Sequence, residues 1–397
     1  MNLKASLFLA CSLGSALPVV AQGYRDFTIV RNRPQAYSSL LQLRTGYRGV
    51  EAEGIDDPLI SGHAADDTID GFVYFHTKDL VRGEDWVLDS YAGLDGIYAG
   101  LKGDMHPGKT TQSRIEVFSQ HSAHYRPGYY SAGDYVPVGH YQGEDYTIRI
   151  GTAQVVDRGL ILEFAAYYKD YAFSESEEPA SVPNQFVLPD NFAAYGSTIT
   201  LEQNSLQMDR ILGLPMGGLL WTVQIDYETN DSGKEFGWIN QSPRSLSKSY
   251  YRGETRFEAY VANGQSSAWA FLVDAGYYDS SDFITASRSN QVQGHMWGDG
   301  SFGYRMAFGD WFLLKPFAQL QYSKSLDITG VSSREKLFWG GGAHASLIFA
   351  KNMALVFEYS YVNNPSRPNV SPDRDLYGEH QFFIGMDVSF GSGYRQR

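Results

Sequence analysis

The chain has 397 residues, of which 19 % are charged and 15 % aromatic, with a formal net charge of -13 at pH 7. A soluble domain usually carries about 25 % charge, and an acidic balance with dispersed arginines excludes a nucleic-acid-binding surface. A mean hydropathy of -0.32, with no uninterrupted apolar run of about eighteen residues beyond the N-terminus, excludes a bundle of transmembrane helices.

Residues 1–21 read as a secretory signal peptide. Lys4 supplies the positive start, "ASLFLACSLGSALPVV" the apolar stretch, and Val19-Val20-Ala21 a small-residue cleavage site. The single cysteine, Cys11, falls inside it, so the remaining chain has no disulfide framework. Residues 22–397 show no break in composition and read as one domain.

From residue 38 onward, alternating apolar and polar residues predict strands. The clearest lie at 38–49, 146–155, 160–169, 219–228, 251–261, 268–278, 300–308, 312–323, 337–349, 353–362 and 380–390. Weaker ones lie at 71–80, 85–102, 112–121 and 194–203. At roughly two dozen residues per strand and connection, about 16 strands fit, or 14 as the alternative. The sixteenth is sought in 22–37 or 204–216. Tight connections ("VDRG", "NGQSS", "FGD", "AKN") alternate with long polar ones, the rhythm of a transmembrane antiparallel up-and-down β-barrel.

A soluble sandwich also alternates, but its second face would have to be dry. In "YRGETRFEAYV", Arg252, Glu254, Arg256 and Glu258 share one face and Tyr251, Phe257 and Val261 the other. Unpaired charges do not line a dry core, because each costs several kcal/mol, about 3–5 when a partner is missing. Parity places Arg44, Arg48, Arg149, Glu163, Asp226, Asp274, Arg305, Lys315, His344, Glu358 and Asp387 on the same inward face. With Arg114 and Glu116 added, acids and bases balance, which predicts weak ion selectivity unless the signs segregate to opposite walls. Aromatics near strand ends, such as Tyr227, Tyr251, Trp269, Tyr359 and Phe390, fit interface girdles.

The closing segment "HQFFIGMDVSF", ending on Phe390, resembles the C-terminal signal of bacterial outer-membrane β-barrel proteins, although "GSGYRQR" follows it. The resemblance implies export to the outer membrane of a Gram-negative bacterium. It also implies folding by the barrel-assembly machinery, an exterior against lipid and lipopolysaccharide, and a possible homo-oligomer, since sixteen-strand porins are commonly trimers. A porin-like channel for small hydrophilic solutes is the leading expectation. A partner in surface-polysaccharide export is the alternative.

A third reading is enzymatic. His344-Ala345-Ser346 resembles the H-x-S pair of outer-membrane lipid hydrolases, and pairing across "AKN" through Phe349 and Met353 sets Glu358 opposite His344. Parity turns these residues to the lumen, away from lipid, and the residue after Ser346 is Leu347 instead of the usual Asn. The group therefore reads as a structural pair, with no catalytic residue assigned. His121 and His124 in "QHSAH" fall on opposite faces of a strand. The acidic runs 53–57 and 65–70 lack calcium-loop spacing. Neither a metal nor a cofactor is expected.

Overall fold

The computed structural model describes residues 38–52, 68–78, 86–93, 96–104, 111–125, 128–131, 134–137, 141–157, 159–175, 186–188, 190–208, 215–238, 244–245, 247–264, 266–279, 296–326, 333–350, 352–363 and 376–390. Residues 1–21, expected to be a signal peptide, residues 22–37 and the acidic runs 53–57 and 65–67 lie outside them, as do the side chains of Arg48, Asp70, His121 and His124.

Sixteen long strands form the wall. They are β1 (Ser39–Ala52), β2 (Thr68–Thr77), β3 (Val87–Gly93), β4 (Gly96–Asp104), β5 (Thr111–Tyr125), β6 (Tyr141–Asp157), β7 (Leu160–Glu175) and β8 (Phe192–Asn204). They continue as β9 (Pro215–Asn230), β10 (Ser249–Ala262), β11 (Ser267–Tyr278), β12 (Met296–Phe308), β13 (Phe312–Leu326), β14 (Ser333–Ala350), β15 (Met353–Val362) and β16 (Leu376–Phe390). Each pairs antiparallel with the next, and β16 returns to β1 from Ser39↔Phe390 to Ala52↔Leu376. Closure leaves no sheet edge, so backbone donors and acceptors are satisfied within the wall, as a hydrocarbon environment demands.

Both ends of the wall's path lie on one rim, together with the tight connections 158–159, 263–266, 309–311 and 351–352. Three of these turns use a glycine with positive φ, Gly159 at 75°, Gly264 at 82° and Gly309 at 61°, the conformation that glycine adopts without steric cost. The opposite rim carries the long connections 53–67, 126–140, 176–191, 231–248, 279–295 and 363–375. In bacterial barrels the short turns face the periplasm. On the long-loop rim, Phe186–Val187, Glu235–Trp238 and Arg244–Ser245 form a small sheet that ties the β7–β8 and β9–β10 connections together.

Two local expectations need correction. Of the two stretches expected to hold the sixteenth strand, 22–37 lies outside the described residues, and in 204–216 the described Gln207–Met208 forms a short bridge to β9. The sixteenth strand arises because 85–102 is two strands, β3 and β4, joined at 94–95 with Gly93 opposite Gly96. The apolar-polar rhythm runs on through this short reversal and hides it. Second, Phe349 does not pair with Met353. The ladder runs to Ile348↔Ala354 and then shifts to Ala350↔Met353, leaving Phe349 bulged and exposed. His344 still stands opposite Glu358 because the shift lies on the turn side of both.

Candidate functional site

Alternation sorts the wall into two chemistries. On β6, Ile148 and Ile150 are 50 % and 60 % exposed while Thr147 and Arg149 between them are buried. On β10, Tyr251, Phe257 and Val261 are exposed while Arg252, Arg256 and Glu258 are buried. The exposed face is apolar around the barrel, and the enclosed face carries the charges.

These enclosed charges are joined in pairs. Across β4 to β7, Glu163 accepts hydrogen bonds from Arg114 Nη1 at 2.9 Å and Arg149 Nη2 at 3.2 Å. Glu116 lies 3.5 Å from Arg149 Nε and accepts the Tyr98 hydroxyl at 2.9 Å. Lys169 Nζ meets Asp145 at 2.6 Å. On β9 and β10, Asp226 accepts Arg252 Nε at 2.8 Å and the Thr198 hydroxyl at 2.6 Å, and Glu254 lies 3.9 Å from Arg252. Arg256 donates to Glu258 at 2.8 Å and lies 3.6 Å from Asp274, its register partner on β11. The buried Arg305 guanidinium stands 5.8 Å from the centre of the Tyr260 ring.

On the wall from β13 round to β1, Glu358, Asp387 and His344 stay partly exposed, while the Arg44 side chain and Ser346 are buried. Arg44 Nη1 donates to Asp387 at 2.6 Å and its Nε lies 3.9 Å from Glu358. His344 Nδ1 lies 3.1 Å from Glu358 Oε1, and His344 Nε2 lies 3.1 Å from Ser346 Oγ. Lys315 is the register partner of His344 on β13. The Glu358, Asp387 and His344 side chains are 41 %, 28 % and 26 % exposed, against 2–5 % for the Arg114–Glu116–Arg149–Glu163 group. Arg48 lies on β1 opposite Gln381, and its side chain lies outside the described residues. Among the described residues no cluster of three or more His, Cys, Asp or Glu is placed to hold a metal ion.

Sequence reasoning did not single out Glu228, which accepts hydrogen bonds from the hydroxyls of Tyr167 at 2.9 Å, Tyr171 at 3.1 Å and Tyr250. It also missed the Asp89 carboxylate, held by His76 at 2.6 Å and Tyr74 at 2.7 Å. The parity signal was present for Glu228, two residues beyond Asp226.

Glycines make the long reaches possible. Tyr167 on β7 lies over Gly196 of β8 on its way to Glu228 of β9, and a Cβ at Gly196 would stand 2.0 Å from the Tyr167 ring. Arg44 on β1 crosses Gly385 of β16 toward Glu358 of β15, and a Cβ there would meet Arg44 Cδ at 2.6 Å and the Leu43 carbonyl oxygen at 2.0 Å. Gly385→Ala should therefore lower the unfolding free energy by about 1–3 kcal/mol, read as an earlier urea midpoint for protein folded into lipid vesicles. Gly253→Ala, whose Cβ would meet nothing within 4 Å, should stay within about 0.5 kcal/mol. Equal shifts for the two would rule out the crossing as the reason for Gly385.

Residues 224–390 match the family model described as "Outer membrane protein beta-barrel domain". No curated protein matches the sequence. Among solved structures, BamA from Haemophilus ducreyi is 11 % identical with a TM-score of 0.51, covering 89 % of this chain and 70 % of that one. CdiB from Escherichia coli is 10 % identical with a TM-score of 0.50, covering 88 % and 63 %. CdiB from Acinetobacter baumannii is 10 % identical with a TM-score of 0.49, covering 88 % of this chain, which spans only 60 % of that protein's length. At such identities the likeness is one of fold. The matched family domain supplies the C-terminal half of a wall that closes on itself with its apolar face outward, and the chain is accordingly an outer-membrane β-barrel protein.

Proposed function

We propose that the barrel is a narrow porin-like channel that passes small hydrophilic solutes along the wall between β13 and β1. The supporting observation is the uneven burial of the enclosed face. The β4–β11 arc ties its charges off in buried pairs, whereas Glu358, Asp387 and His344 remain open to solvent. A sixteen-stranded wall is wide enough for an aqueous path. The β1–β16 seam is paired along its length, which favours movement along the barrel axis over release sideways into lipid.

In this reading the chain is exported through its N-terminal signal into a Gram-negative envelope. The barrel-assembly machinery folds it there, and its exterior contacts lipid and lipopolysaccharide. Acid and base alternate within each cluster, so the lumen presents no wall of one sign. Purified protein in planar bilayers should give small ohmic steps with a reversal potential near zero in a KCl gradient, because paired charges leave little net field on a permeant ion. Absence of conductance, together with absence of swelling in sugar-loaded liposomes, would sink the channel reading. Strong cation or anion selectivity would sink the charge-pairing account of it.

A further inference from the structure

The wall between β13 and β1 carries a constellation that passage of solutes does not require. Ser346, His344 and Glu358 come from one hairpin. His344 and Ser346 alternate on β14, and Glu358 faces His344 across the ladder from β15. The two heavy-atom separations, Ser346 Oγ to His344 Nε2 and His344 Nδ1 to Glu358 Oε1, are both 3.1 Å. A proton on Nδ1 directed at the carboxylate leaves the Nε2 lone pair facing the hydroxyl, the tautomer a general base needs. Arg44, itself bound to Asp387, has its Nε 3.9 Å from the same Glu358 oxygen and adds positive charge that favours the ionised carboxylate.

We propose that Ser346, His344 and Glu358 form a serine-hydrolase triad that cleaves short-chain acyl esters of water-soluble alcohols within the lumen. The exposed members of the group, Glu358 and His344, face the enclosed aqueous side, so substrate arrives from water. Ser346 lies between its register partners Leu313 and Val356, each 1 % exposed. Ser346 is itself only 6 % exposed, so only a small acyl group can approach its hydroxyl.

Ser346 Oγ attacks the ester carbonyl carbon while its proton passes to His344 Nε2. The imidazolium then gives that proton to the departing alkoxide as the bond to the alcohol oxygen breaks, leaving acyl-Ser346. A water molecule, deprotonated by the same Nε2, attacks the acyl carbon. Ser346 Oγ departs and recovers the proton, and the carboxylic acid is released. Glu358 stays ionised and stabilises the imidazolium.

The test uses the full folded chain in detergent micelles. A fluorophosphonate probe should attach to Ser346, identified by peptide mass spectrometry. Hydrolysis of p-nitrophenyl acetate should fall about 100-fold or more in Ser346→Ala and in His344→Gln, with Glu358→Gln in between. Heat-modifiable gel mobility reports that each variant is folded. Wild-type protein without a Ser346 adduct, or folded Ser346→Ala hydrolysing at the parent rate, overturns the triad. Faster cleavage of a long-chain ester in mixed micelles than of the acetate overturns the substrate class and points to lipid instead. Adduct formation is independent of conductance, so this result and that of the channel experiment separate.

Discussion

Glu163→Ala should lower the unfolding free energy by about 3–5 kcal/mol, because it removes the carboxylate to which two buried guanidiniums both donate. Arg114 and Arg149 are each 5 % exposed, and both donate to Glu163. Glu116 lies farther off, 4.0 Å from one and 3.5 Å from the other. The measurement is a urea titration in vesicles, followed by the loss of heat-modifiable mobility. Two comparisons isolate the cause. Glu163→Ala combined with Arg149→Leu restores charge balance and should recover a large part of the loss. Glu335→Ala removes the partner of Lys324 at 2.8 Å, but those side chains are 56 % and 32 % exposed, so it should cost no more than about 1 kcal/mol. The distance resembles that of the buried pair, and hydration decides the difference. A small effect for Glu163→Ala would mean that water reaches the β4–β7 arc.

The inner and outer faces were legible in the sequence because a strand has a period of two, and one residue known to face lipid fixes its neighbours. Pairing was legible only where a tight turn sets the register. Arg256 with Asp274, and His344 with Glu358, follow by counting back from "NGQSS" and "AKN". No such count spans residues 231–248, so the joining of Tyr250 to Glu228 was invisible, although each residue's face was not. Arg44 and Asp387 meet only because the last strand closes on the first. Register parity also could not reveal that Ser346 leans along its strand far enough to reach His344, since that depends on side-chain rotamers. Burial around the lumen was hidden for a related reason. Alternation says that Arg149 and Glu358 both turn inward, but not that one is sealed and the other wet.

The sharpest consequence of the sorting falls on adjacent residues of β6. Ile150→Lys should destabilise the folded barrel by about 2–4 kcal/mol, the cost of a cation on the lipid face near the bilayer midplane. Ile150 is 60 % exposed amid Ile115, Val117 and Ile148, each 50–51 % exposed, an aliphatic patch between the aromatic rims. A lysine there has no carboxylate partner and must stretch toward a headgroup. Arg149, the residue before it, carries the same charge 5 % exposed and bound to two glutamates. Depth supplies the control. Val156 is 59 % exposed on the same face, one residue from the end of β6, where charge near an interface costs about 0–1 kcal/mol. Val156→Lys should therefore fold almost as the parent does, while Ile150→Lys shows an early midpoint in vesicles of ordinary thickness. If both variants were neutral in lipid, the exposed apolar face would be in water and the barrel would be placed inside out. If both were equally damaging, the membrane band would extend to the short-turn rim. The prediction thus tests the face and the height of the wall together, from one strand and two substitutions.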